Sequence, residues 1–151
     1  MTMQALPDVP HTPHGLDGVS WNILGQVYTP KLISPECFAW HAVFAEETFV
    51  PPHTHADQDE YLYPYDGVID LLIGGKQHTA LPGQVAVLPR GVPHAFFNNT
   101  GKPVNALFWA APAGKLVQLY RRIHNVGHPG RVVSMAPQYG VVFEPPVSAA
   151  A

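Results

Sequence analysis

The stretch PPHTHADQDEYLYPYDG, residues 51–67, holds His53 and His55 on either side of a single residue, with Glu60 four residues beyond the second histidine. On an extended strand, residues i and i+2 point to one face, so both imidazoles can reach one ion. The four residues between His55 and Glu60 allow a short turn that brings a carboxylate back alongside. Gly67 closes the segment where the chain must bend, giving H-x-H-x4-E-x6-G. A second stretch, GQVAVLPRGVPHAFFN, residues 83–98, reads G-x5-P-x-G-x2-H-x3-N through Gly83, Pro89, Gly91, His94 and Asn98. Its Pro and Gly make a tight turn between two apolar runs. His94 falls just past that turn, at the start of the next strand, where in an antiparallel barrel it can face the same interior as the first pair.

These two stretches resemble the two signature motifs of the cupin superfamily, with every fixed position present. Nine fixed positions, each matched by chance about 5% of the time, make coincidence remote. The resemblance implies an all-β fold, the double-stranded β-helix or jelly-roll barrel. It also implies that His53, His55, Glu60 and His94 bind one divalent metal. The likeness extends through GQVYTPKLISPECFAWHAVFAEETFVPPHTH, NNTGKPVNALFWAAPAGK and YGVVFEPP to the small single-domain bacterial cupins described as quercetin-dioxygenase-like. Two departures stand out. Pro64 lies in the strand that carries Glu60, so that strand should end or bulge near Tyr63–Asp66. Glu47 stands where the longer form of the first motif has Gly.

Three imidazoles and a carboxylate suit Fe, Mn, Co, Ni, Cu or Zn and disfavour a hard Ca site. Four protein ligands in a six-coordinate shell leave two positions for a substrate oxygen and a second molecule such as dioxygen or water, an arrangement that serves redox and Lewis-acid catalysis alike. Glu60, if it leaves the metal, can act as a general base. The leading expectation is a metal-dependent dioxygenase acting on a small enol or phenol-type, flavonol-like substrate; the oxygen chemistry rests on the family likeness alone. Two alternatives stay open: a redox-neutral isomerase, lyase or dehydratase, and a non-catalytic metal-containing module that binds a small ligand.

Leu62 shares the strand face of Glu60, and Phe96 that of His94, so both are expected to line the substrate pocket. His41, in FAWHAVF, is either a third pocket residue or a hydrogen-bonded core or edge histidine, the second reading being favoured. Tyr61 and Tyr63 alternate with Glu60 and should point away from the metal. Asn98 is expected to satisfy backbone groups near its turn, His78 to be exposed and Arg90 to face solvent. Cys37 is the one cysteine; it reads as a small buried hydrophobe, no internal disulfide is possible, and a cytoplasmic protein fits best.

The elements that must position these residues are short. Seventeen prolines and thirteen glycines cut the chain into strands recurring about every 8 to 12 residues. The expected strands are 21–27, 31–33, 38–44, 48–50, 60–63, 68–73, 77–81, 85–88, 95–98 and 104–109. Residues 1–18, with His11 and His14, read as an N-terminal arm, 19–112 as the barrel, and 113–151 as a C-terminal helix and tail packing on it. Leu116, Leu119, Tyr120 and Ile123 form a helical stripe over 113–123. A second short helix is expected near 133–139, and GVVFEPP can add a last strand. Net charge is −3 with 13% charged residues and 46% apolar ones, which argues against disorder and, with no basic cluster, against a nucleic-acid partner. No apolar run approaches a membrane span and no signal peptide is seen. The expected partners are a small-molecule substrate and a second copy of the chain in a homodimer.

Overall fold

The computed structural model describes residues 18–144. The arm read from residues 1–18 therefore lies, but for its last residue, outside the described residues, as do His11, His14 and the tail beyond Glu144. The strands are Trp21–Ile23 (β1), Gln26–Ile33 (β2), Phe38–Phe44 (β3), Phe49–His55 (β4), Asp59–Pro64 (β5), Ile69–Ile73 (β6), Lys76–Ala80 (β7), Ala86–Leu88 (β8), His94–Phe97 (β9), Val104–Ala111 (β10) and Val141–Phe143 (β11). Two helices, Leu116–Ile123 (α1) and Pro129–Met135 (α2), precede β11, with a 3-10 turn over Ala136–Tyr139. The strands pair antiparallel into a six-stranded sheet, β1-β2-β3-β10-β5-β8, and a five-stranded one, β11-β4-β9-β6-β7. This is the expected double-stranded β-helix. Among the described residues, no helix is long and apolar enough to cross a membrane.

Strand alternation builds the interior. Phe38, Trp40, Ala42 and Phe44 of β3 turn inward and are buried. In the larger sheet, Trp40, Phe108 and Leu62 lie in one cross-strand row, and Phe38, Ala110, Glu60 and Leu88 in the next. Trp40 stacks on Phe108 at 5.5 Å, and Phe96 from the facing sheet meets Phe108 edge-on at 5.3 Å. Such aromatic pairs add about 0.5–1.5 kcal/mol each beyond area burial. The small Ala110 next to Glu60 leaves its carboxyl room inside the barrel.

Two local features differ from the strand pattern expected from sequence. The single strand over 21–27 is a hairpin, β1 and β2 turning through Leu24-Gly25 with φ of 49° and 88°. Both central residues are left-handed, as a type I′ turn requires, and Leu is an unusual residue there. The strand 48–50 extends to His55, and a one-residue bulge between Val50 and His53 absorbs Pro51 and Pro52. Strand β5 ends at Pro64, as its proline suggested. Glu47 takes φ 62°, which explains a glycine in the longer motif.

Gly67 has a different constraint. A Cβ there would stand 2.6 Å from Cγ2 of Val104, a fully buried and rotationally stiff side chain. Gly67→Ala is expected to lower stability by about 1–3 kcal/mol in urea unfolding. Glu47→Gly is expected to raise it by up to about 1 kcal/mol, because it removes a left-handed non-glycine residue.

Candidate metal centre

Strand β4 places His53 and His55 on one inward face, and β9 lies beside it with His94 directly across from His53. Glu60 enters from β5 of the opposite sheet. All four side chains are buried, and one ligand atom from each lies within 4.8 Å of the others. The ring centroids of His53 and His94 are 4.4 Å apart. Carboxylate oxygen Oε2 of Glu60 stands 3.1 Å from Nε2 of His55 and 2.9 Å from Nε2 of His94.

The far side of each ring decides the tautomer. Nδ1 of His53 faces the Pro51 carbonyl at 2.8 Å, and Nδ1 of His94 faces that of Val92 at 3.3 Å. A carbonyl only accepts, so each Nδ1 must carry the proton. Nδ1 of His55 meets Oε1 of Gln58 at 2.6 Å. The Gln58 amide is oriented by donating from Nε2 to the carbonyls of Pro112 and Ala113, both at 3.0 Å. Its oxygen is therefore the acceptor, and His55 also donates from Nδ1. All three Nε2 lone pairs then converge, and two of them face a carboxylate oxygen that is itself all lone pairs. Only a cation between them, a proton or a metal ion, makes that contact favourable. The donor set fits a borderline transition ion.

Protonation of the metal-free cluster follows the same logic. Burial, then the neighbouring His94 and His55, lowers the His53 pKa to about 3. Burial alone would also lower His55, but the charge and hydrogen bond of Glu60 outweigh it and its pKa is raised. Burial raises Glu60, yet the charge of His55 and the hydrogen bonds of His55 and His94 win and hold it well below the usual carboxylate range.

A cavity of about 470 Å³ opens beside His53 and His55. Its walls are mainly Ile23, Val50, Leu116, Leu119, Ile123 and Phe143. Gln26, Tyr28, Tyr120, Thr48 and the exposed Glu47 also border it. Helix α1 closes this side: Tyr120 packs against Trp40 at 5.4 Å and Tyr28 at 5.0 Å. Backbone N–H of Asn22 donates to Nδ1 of His124, and that of Asn125 to the Asn22 carbonyl, tying the end of α1 to β1.

The residues expected to line the pocket are placed otherwise. Leu62 and Phe96 do face inward, Phe96 lying 5.3 Å from the His94 ring, but they pack beneath the ligands as core and do not line this cavity. His41 does not border the cavity: strand alternation puts it on the face of β3 opposite Trp40, with its ring 6.3 Å from Tyr65, which fits the favoured core or edge reading. Tyr61 stacks on Trp109 at 5.1 Å on that outer side. Asn98 donates to the carbonyls of Phe44, Ala45 and Lys102, as its turn position suggested. His78 is exposed, and Arg90 is paired with Asp59 at the surface. Gln58 was missed; its place three residues after His55 was the available signal.

His94→Ala is expected to abolish stoichiometric metal binding, measured by elemental analysis. Gln58→Ala should weaken metal affinity about 10- to 100-fold in chelator competition, with the far-UV spectrum unchanged. The metal-free protein should lose stability as pH falls. Unfolded His53 takes a proton near pH 6.5, whereas the folded residue resists until about pH 3. Its contribution is thus full above about pH 6.5 and is lost toward pH 3. That of Glu60 is lost at the acid end of the same range, while that of His55 is full there and declines only as pH rises. Unfolding midpoints across this range check the slope, which His53→Asn should flatten.

Comparisons with known proteins agree on the fold. The family model for the cupin domain matches residues 40–110. A search of curated proteins found no match. A cupin-superfamily sugar phosphate isomerase from Silicibacter pomeroyi is 22% identical, with a TM-score of 0.53 over 58% of this chain and 59% of that one. KdgF from a Halomonas species is 18% identical, TM-score 0.55, over 63% of this chain and 88% of that one. An RmlC-like cupin from Shewanella frigidimarina is 17% identical, TM-score 0.58, over 63% and 84%. At these identities the likeness concerns fold alone. Barrel, motifs and ligand cluster agree with the family model: residues 40–110 match the cupin domain, and the described chain has the fold of these cupin structures.

Proposed function

We propose that this protein is a metal-dependent cupin dioxygenase acting on a small, apolar-bodied enol or phenol. The observation that carries the reading is the pairing of a buried three-histidine, one-glutamate cluster with an adjoining cavity whose walls are mostly aliphatic and aromatic. Among the described residues no Lys or Arg lines that cavity. A sugar phosphate would need cations and many donors that these walls lack, so the reaction named for one similar structure, a sugar phosphate isomerase, fits it poorly.

His53, His55, Glu60 and His94 are the residues that would hold the ion. When bound, the ion supplies Lewis acidity and, if redox-active, a path for electrons between substrate and dioxygen. The chain does the rest. The three Nδ1 hydrogen bonds lock the imidazoles in place. Glu60, ionised at neutral pH, can take the hydroxyl proton of a bound enol. The apolar walls hold the substrate body and exclude water. Cleavage of an enol C=C by one dioxygen yields a ketone and a carboxylic acid. The double bond provides all four electrons, so no external reductant is required.

Protein loaded in turn with iron, nickel, manganese and cobalt is expected to consume one dioxygen per substrate with at least one member of a flavonol, catechol and β-diketone panel. Glu60→Gln should slow turnover at least about 100-fold. No uptake with any metal form would sink the proposal. Conversion of a substrate at the same rate under nitrogen would establish the redox-neutral alternative instead.

A further inference from the structure

The cupin domain supplies the ligands, but much of the wall facing them comes from elsewhere in the chain. Gln26 and Tyr28 belong to β2, before residue 40, and Tyr120 belongs to α1, after residue 110. These three carry polar groups in a wall that is otherwise mostly apolar. Tyr28 donates its hydroxyl proton to Oε1 of Gln26, and Gln26 donates in turn to the Phe49 carbonyl. Tyr28 is thus internally satisfied as a donor.

Tyr120 is not. Its ring is wedged among Trp40, Phe38, Tyr28 and Trp21 at centroid separations of 5.4, 5.9, 5.0 and 6.1 Å. The side chain is only 8% exposed, yet among the described residues its hydroxyl has no hydrogen-bond partner. A hydroxyl in an apolar wall with no protein partner can donate only to water or to a ligand, whereas phenylalanine would fill the same space with no donor. The residue borders the cavity, so a molecule in the cavity can accept the proton.

We propose that Tyr120 Oη is a second recognition point of the site, donating a hydrogen bond to a carbonyl or ether oxygen on the ligand, remote from the oxygens that face His53 and His55. The preferred ligand is then an apolar, ring-bearing chelator with an acceptor oxygen at its far end. This rests on the reading of the cavity as the substrate site, and Tyr120 acts in it as a binding and positioning residue.

The test compares two catechols that differ only in a carbonyl: 3,4-dihydroxyacetophenone, and 4-ethylcatechol, which has a methylene in its place. Both are titrated calorimetrically under nitrogen into zinc-loaded wild-type and Tyr120→Phe protein, so that no turnover is involved. The variant is expected to bind 3,4-dihydroxyacetophenone about 3- to 10-fold more weakly and 4-ethylcatechol equally well, with metal content and melting temperature unchanged. An equal effect on both catechols, or an effect on neither, overturns the role of Tyr120 and leaves the cavity assignment standing. Failure of both catechols to bind wild-type protein overturns both readings.

Discussion

Two lone pairs pointed at one carboxylate oxygen form the constraint on which the rest of this molecule depends. Oε2 of Glu60 lies within hydrogen-bonding distance of Nε2 of both His55 and His94, while the other nitrogen of each ring already donates elsewhere. Without a cation this cluster is repulsive, and it is buried where water cannot relieve it. Much of the surrounding architecture holds that arrangement in place. Gln58 is tied to two backbone carbonyls and holds His55. The chain before each of the other two histidines folds back so that its own carbonyl, from Pro51 or Val92, holds the ring.

The barrel serves this constraint through register. Glu60 occupies a cross-strand row whose neighbour on β10 is Ala110, and a larger residue there would crowd the carboxyl. The bulge at Pro51-Pro52 adds one residue to β4 and sets the phase of the strand so that His53 pairs with His94. Beneath the ligands, Phe96, Phe108, Trp40 and Phe44 pack as a rigid floor at ring separations of 5.3 to 6.4 Å. Such a floor keeps four ligand atoms from drifting apart, as preorganised metal sites require.

The wall opposite the ligands has a separate origin. It is assembled from β1, β2, α1, α2 and β11, elements at the two ends of the described chain that meet over one side of the barrel. Helix α1 is held there by Tyr120, which reaches into the aromatic core, and by the bonds of His124 and Asn125 to β1. A shared scaffold can thus keep its ligands while its terminal segments change what fits against them.

The ligand set was legible in the sequence because its geometry is local. Alternation along one strand brings His53 and His55 to the same face, a short turn returns Glu60, and a Pro-Gly turn delivers His94. The α1 stripe and the end of β5 at Pro64 were legible for the same reason, since each depends on a few neighbouring residues. The cavity was not. Strand β3 is apolar on both faces, so its sequence could not say whether Trp40 or His41 turned inward. The Leu24-Gly25 turn carries no strong turn signal, so one strand was read where a hairpin stands. Leu62 and Phe96 were assigned to the correct face, but whether an inward residue lines a cavity or fills the core depends on what packs against it from distant segments. The sequence alone therefore determined which atoms could bind a metal, through spacing within two short motifs. Only the tertiary structure decided what those atoms face, because Tyr28, Gln26 and Tyr120 meet there through contacts between segments about ninety residues apart, which no local pattern encodes.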